Sequence, residues 1–271
     1  MKTFKYIFLF LIVIIIAFFV VLYQFILPDS APTDLDWTKE QKNLPQITMS
    51  WDIVDIKYIR DFNYFWTWEK VNYLSWSYNI DDLKSAYLFT SEFWFDWKIA
   101  HNFISFEFEN DQYLWISVES RREKWNEYNL IDWAFRQYPL VYMIATEEDL
   151  VRTRKEDSWE TLRFVEFDFT NEELESFFKT FILSAKRSNE NPQFYHTIFD
   201  NCSTRIVDNI NDSTNYNIWY SYKILFPWLF DKYLHENWLI RHSWNFDSQL
   251  FNISYSTWDI LNNDFSKFIR E

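Results

Sequence analysis

The 271-residue chain has no glycine and a single cysteine, and its 26 basic residues are outnumbered by 40 acidic ones. Each shortage excludes something. One thiol, Cys202, cannot form an intramolecular disulfide, so the chain carries a free sulfur. A net charge of -14 argues against a nucleic-acid partner, because affinity for a phosphate backbone comes from Lys and Arg. One cysteine and four scattered histidines supply no standard metal-ligand spacing, and there is no glycine loop to cradle a phosphate. Neither a metal nor a cofactor is expected.

The missing glycines are the strongest compositional signal. At an average usage of about 7%, a chain of this length would hold about 19 of them; this one holds 16 tryptophans. Several of these stand where the chain should turn: Trp97, Trp125, Trp159, Trp228 after the late proline, and Trp238 directly after the helical pattern 230–237. Turns and the residue following a helix ask for positive φ, which a bulky side chain resists. One cause explains both oddities if UGA encodes glycine in the host and has been read as tryptophan. A truly tryptophan-rich binding domain would leave the absent glycines unexplained.

Residues Tyr6 to Leu27 carry no charge and only Gln24 as a strongly polar interruption. As a helix this run spans roughly 33 Å, enough for a hydrocarbon core of roughly 30 Å. Lys2 and Lys5 precede it while Asp29, Asp34 and Asp36 follow, so the positive-inside bias leaves the N-terminus in the cytoplasm and the remainder outside. The run exceeds a usual signal core and no clean small-x-small site follows, which favours an anchor over a cleaved signal. The expected organisation is an anchor over 1–27, a Pro-punctuated linker over 28–46 and one extracytoplasmic domain over 47–271.

Within the domain, strands are expected around residues 53–59, 85–93, 100–108, 112–120, 140–145 and 162–169, with a hairpin turn at Asn110-Asp111. A helix is expected over 171–188, opened by a Thr170/Glu173 capping box, and a second follows Asn201. The fold class is α+β.

Cys202 falls in the first turn of that second helix, where the helix dipole favours a thiolate and where cysteine nucleophiles are commonly prepared. A base is then needed. His235 and His242 sit in polar surroundings, and His196 is near Cys202 in sequence, which does not make it near in space. His101 opens a strand in which Ile104, Phe106 and Phe108 share one face. If the apolar faces of this hairpin pack together, His101 and Glu119 fall on the opposite face, near its open end. A carboxylate there fixes the imidazole tautomer.

The segments 100–108 (AHNFISFEF), 116–124 (ISVESRREK), 135–138 (FRQY) and 194–204 (FYHTIFDNCST) resemble the Lnb N-terminal periplasmic domain family. The resemblance implies an NlpC/P60-related, papain-like fold in permuted order: an antiparallel sheet with packed helices, histidine strand before cysteine helix. By position it implies Cys202 as nucleophile and His101 as general base; Glu119 as third member comes from strand parity instead. Asn201, Tyr195 and Arg122, inside the same segments, are candidate substrate contacts. Asn102, Asp200 and Ser203 depart from the family's pattern. The implied function is thiol acyl transfer resembling bacterial lipoprotein N-acylation, with a lipid or lipoprotein as acyl donor and acceptor. A cysteine amidase or peptidase acting on cell-wall or protein amides, and a non-catalytic extracytoplasmic binding domain, are the alternatives.

Overall fold

The computed structural model describes residues 2–26, 30–65, 68–92, 99–129, 132–133, 135–154, 161–241, 251–252, 265–268 and 270. An apolar helix, α1 (Lys2–Ile26), is followed by β1 (Gln46–Ser50), β2 (Ile53–Arg60), β3 (Asn63–Phe65), β4 (Trp68–Lys70), β5 (Tyr73–Asn79) and β6 (Leu83–Glu92). Next come β7 (Ala100–Phe108), β8 (Tyr113–Ser120), β9 (Leu140–Ala145), α2 (Glu147–Arg152) and β10 (Thr161–Glu166). The helices α3 (Asn171–Glu190), α4 (Cys202–Ser213), α5 (Tyr222–Leu225) and α6 (Phe230–Glu236) follow, then β11 (Phe251–Asn252) and α7 (Phe265–Phe268).

Among the described residues nine strands form one sheet, in the order β1-β2-β9-β8-β7-β6-β10-β11 with β5 also paired to β2, and β3 and β4 form a separate ribbon. All pairings within the large sheet are antiparallel except β2 with β9. The central β7–β8 hairpin turns at Asn110 and Asp111, both at positive φ (65° and 55°), which these side chains tolerate better than most. The Thr170/Glu173 capping box is formed and starts α3 where the sequence indicates.

One face of the sheet presents Ile104, Phe106, Leu114 and Ile116 to Phe177, Phe178, Phe181 and Ile182 of α3, and Cys202 and Ile206 of α4 join this core. The other face, on which strand parity puts His101 and Glu119, carries a second core, with Tyr87, Phe89, Phe103, Trp115 and Phe164 packed against Leu150 and Val151 of α2. His101 shares this face through its parity with Phe103.

The segment expected to be a linker is folded onto the domain. Ala31 donates its N–H to the Pro192 carbonyl at 3.0 Å, Trp37 is buried with Arg121 over its ring at 4.2 Å, and Gln41 is buried. Apolar Trp37 and the amide of Gln41 find partners at and just beyond the end of β8 that the sequence does not show.

Among the described residues two tryptophans adopt positive φ, Trp51 (52°) and Trp238 (60°), and Trp125 is exposed in a turn. Trp228 does not share this: it lies in a short 3-10 turn with its ring 4.8 Å from that of Phe226. Trp97, Trp159 and His242 lie outside the described residues.

Candidate active site

The first turn of α4 is fixed by its own sequence. Asn201 caps the helix by accepting from the Thr204 N–H at 2.9 Å, and Thr204 Oγ1 accepts in return from the Asn201 N–H at 2.8 Å. The Asn201 amide also donates to the Thr197 carbonyl at 2.6 Å. Expected as a substrate contact, Asn201 is thus a buried cap.

This cap sets Cys202 against the end of β7. Pairing of β7 with β8 begins at Phe103↔Ser117, and Asn102 lies just beyond that first pair. The Asn102 N–H faces the Cys202 sulfur there. The Asn102 side chain locks the junction, donating to Ser203 Oγ at 2.9 Å and to the Pro227 carbonyl at 3.1 Å while accepting from Thr90 Oγ1 at 2.8 Å. Two of the residues that depart from the family pattern, Asn102 and Ser203, therefore answer one another. The third, Asp200, pairs with Arg205 at 2.7 Å.

His101 projects from the adjoining position of β7. Its Nε2 lies 2.7 Å from Ser117 Oγ, and Ser117 Oγ donates to Glu119 Oε1 at 3.1 Å. Glu119 is held further by the Gln41 amide at 3.0 Å and by Arg154 at 3.5 Å. Burial pushes the Glu119 carboxyl up, but Arg154, His101, Arg60 and Gln41 outweigh it and hold it below its ordinary range. Glu119 is therefore an anion that only accepts. Ser117 spends its one proton on it, so His101 must donate Nε2–H to Ser117 and keep its lone pair on Nδ1. Burial, reinforced by the Arg154 charge, lowers the His101 pKa to about 3, so the ring is neutral near pH 7. Burial also raises the Cys202 thiol, more than the Asn102 N–H, Ser203 and Arg154 lower it. The resting pair is thiol and neutral imidazole.

Among the described residues no hydrogen bond joins the two. Cys202 Sγ lies 3.9 Å from Ser203 Oγ, and the hydrogen bond of His101 runs to Ser117. Tyr195 is half-buried beside the thiol. Burial raises its hydroxyl far above the usual range, with Cys202 adding to the effect and the Cys202 backbone N–H opposing it. Arg122, the remaining expected contact, stacks on Tyr128 at 5.1 Å, and its N–H is bound by the Gln41 side chain at 2.7 Å. His196 accepts the Ile198 N–H at 3.0 Å and shapes the loop ahead of α4.

Ser117, Gln41 and Arg154 were not legible as site residues. Ser117 carried one faint signal, since it sits between His101 and Glu119 on the parity-selected face. Gln41 and Arg154 come from distant segments and carried none.

Fold and site together define a class: an α+β domain on an apolar N-terminal helix, with a buried thiol at a helix N-terminus against a histidine-bearing strand. The chain belongs to the Lnb N-terminal periplasmic domain family, whose sequence model matches residues 69–229, more than half of its length. That membership and α1, the one described helix long and apolar enough to cross a membrane, fit a membrane-anchored protein with an extracytoplasmic domain. Comparison with curated proteins and with solved structures returned no match. The match includes His101, Ser117, Glu119, Arg154 and Cys202 but leaves out Gln41.

Proposed function

We propose that this protein is a membrane-anchored cysteine acyltransferase, papain-like in permuted order, oriented with its N-terminus in the cytoplasm and its domain outside. The observation that carries the reading is the seat of Cys202: the first turn of a capped helix, against the strand position next to an imidazole that is oriented through Ser117 by an ionised carboxylate. In the proposed reaction His101 Nδ1 takes the thiol proton as Sγ attacks an ester carbonyl of a lipid donor. The Cys202 N–H and the Tyr195 hydroxyl would stabilise the oxyanion. Collapse breaks the C–O bond, the imidazolium returns the proton to the leaving alkoxide, and a thioester remains. An amine, here the N-terminus of an anchored lipoprotein, then attacks the thioester and yields its proton to His101, giving an amide and the free thiol.

The test uses the full chain in phospholipid vesicles whose lipid carries an alkyne-tagged acyl chain, with a lipopeptide bearing a free amine as acceptor. Wild type should acquire a hydroxylamine-labile acyl group and pass it to the lipopeptide. Cys202→Ala should abolish both, and His101→Ala should slow them by about 10²- to 10⁴-fold. Release of amines from peptide or cell-wall amides, with no acyl capture from lipid, would assign the amidase alternative. No covalent intermediate from any of these would leave a binding domain, a reading favoured by the burial of the thiol and its contact with Ser203.

A further inference from the structure

The domain begins almost at the membrane. α1 ends at Ile26, and Ala31 is already buried and bonded to the Pro192 carbonyl. Even fully extended, the chain between them reaches no more than about 18 Å. Pro192 belongs to the loop between α3 and α4, so the tether holds that loop beside the bilayer whatever path the intervening residues take.

The same loop is unusually apolar at its surface. Ile198 and Phe199 are exposed, Phe199 at 63%, and the Tyr220 hydroxyl donates to the Ile198 carbonyl, bringing the segment before α5 alongside. Tyr220, Tyr222 and Phe226 are also exposed, and Phe226 directly precedes the Pro227 whose carbonyl is bound by Asn102. The patch therefore runs from the tethered loop to the residues that lock Cys202 in place. It does not depend on any tryptophan; Trp219 only widens it. Of the nearby cations, Arg205 pairs with Asp200, Lys223 pairs with Glu236 and Arg136 lies over the Phe194 ring, while Asp208 and Asp212 add exposed negative charge. Among the described residues this surface has no basic cluster to recruit anionic lipid. What is offered is Tyr, whose amphipathic ring settles at the headgroup level, beside Phe and Ile, which can enter among the acyl chains.

We infer that this aromatic surface rests in the interface of the bilayer that α1 spans, setting the first turn of α4 at the lipid boundary. Tethering makes the contact intramolecular, so a modest apolar area suffices. The inference rests on the anchor reading, not on the chemistry assigned to Cys202.

Single cysteines introduced into the full chain in a Cys202→Ser background, spin-labelled and placed in phosphatidylcholine vesicles, test it. The sites are Phe199→Cys and Tyr222→Cys in the patch, Val13→Cys within α1, and Glu172→Cys at the far end of α3, about 30 Å from Pro192. Labels at 199, 222 and 13 should be severalfold more accessible to oxygen than to an aqueous nickel chelate, the label at 172 should show the reverse, and 1 M salt should change neither. Matching circular-dichroism melts establish folding, and the second patch site decides if one variant fails. Chelate-accessible labels at 199 and 222, with 13 in lipid, would overturn the inference and leave the anchor intact. Exclusion of both reagents there would mean that protein, such as a second copy, covers the patch, and would also overturn it. A chelate-accessible label at 13 would overturn the anchor and the inference together.

Discussion

At the scale of residues, the site is governed by which groups carry charge. Glu119 is ionised and His101 is neutral, with Ser117 passing orientation from one to the other. Glu119→Gln removes the charge but keeps the base, so kcat/KM in the acyl-transfer assay should fall by less than in His101→Ala; wild-type rates would exclude Glu119 from the site. Ser117→Ala breaks the bridge and should cost about 1–3 kcal/mol of stability, because it leaves buried polar groups without a partner. Acid should also unfold the protein readily. Between pH 6.5 and about 3 an unfolded His101 binds a proton that the folded ring refuses, and below pH 4.5 an unfolded Glu119 does the same. Where the unfolded state binds more protons, stability falls as pH falls. Melting temperature should therefore drop on acidification from pH 7 to 4, and His101→Gln should flatten the upper part of that limb.

At the scale of elements, turns test the proposed glycine recoding. Trp238 ends α6 at φ 60° and Trp51 turns β1 into β2 at φ 52°, where a residue with a side chain is strained by about 1 kcal/mol or more. Trp51→Gly and Trp238→Gly should each stabilise the protein by about that amount in denaturant titrations. Trp115 differs. Its ring lies 4.1 Å from that of Phe103 and 4.8 Å from that of Phe89 in the second core, although its indole N–H finds no partner among the described residues. Trp115→Gly should cost about 3–5 kcal/mol through the cavity it leaves. Peptide masses of protein from the native host decide the matter, since indoles at 51 and 238 would refute recoding there.

At the scale of the molecule, membrane attachment and site assembly are coupled. The segment leaving α1 contributes Ala31 to the α3–α4 loop and Gln41 to Glu119, so the tether is part of the folded domain. The protein should stay in the membrane fraction through carbonate and high-salt washes, because a spanning helix is not released by screening charge. Recovery of a form lacking residues 1 to about 30 would indicate a cleaved signal instead. A version truncated after Gln41 should lose the amide contact to Glu119 as well as the anchor.

Much was legible along the chain. The apolar run, the capping box ahead of α3, the Asn110-Asp111 turn and the start of α4 are local effects of side-chain periodicity and backbone preference, so they are written in consecutive residues. Strand parity even put His101, Ser117 and Glu119 on one face, because alternation is fixed once two strands pair. What parity could not say is what lies over that face. Only the tertiary structure decided that α2 and a second aromatic core cover it, that Gln41 and Arg154 reach Glu119 from distant segments, and that Asn102 ties β7 to Ser203 and Pro227. These contacts join residues far apart in sequence, and burial, which sets the charge state of Cys202 and His101, is a property of everything packed around them.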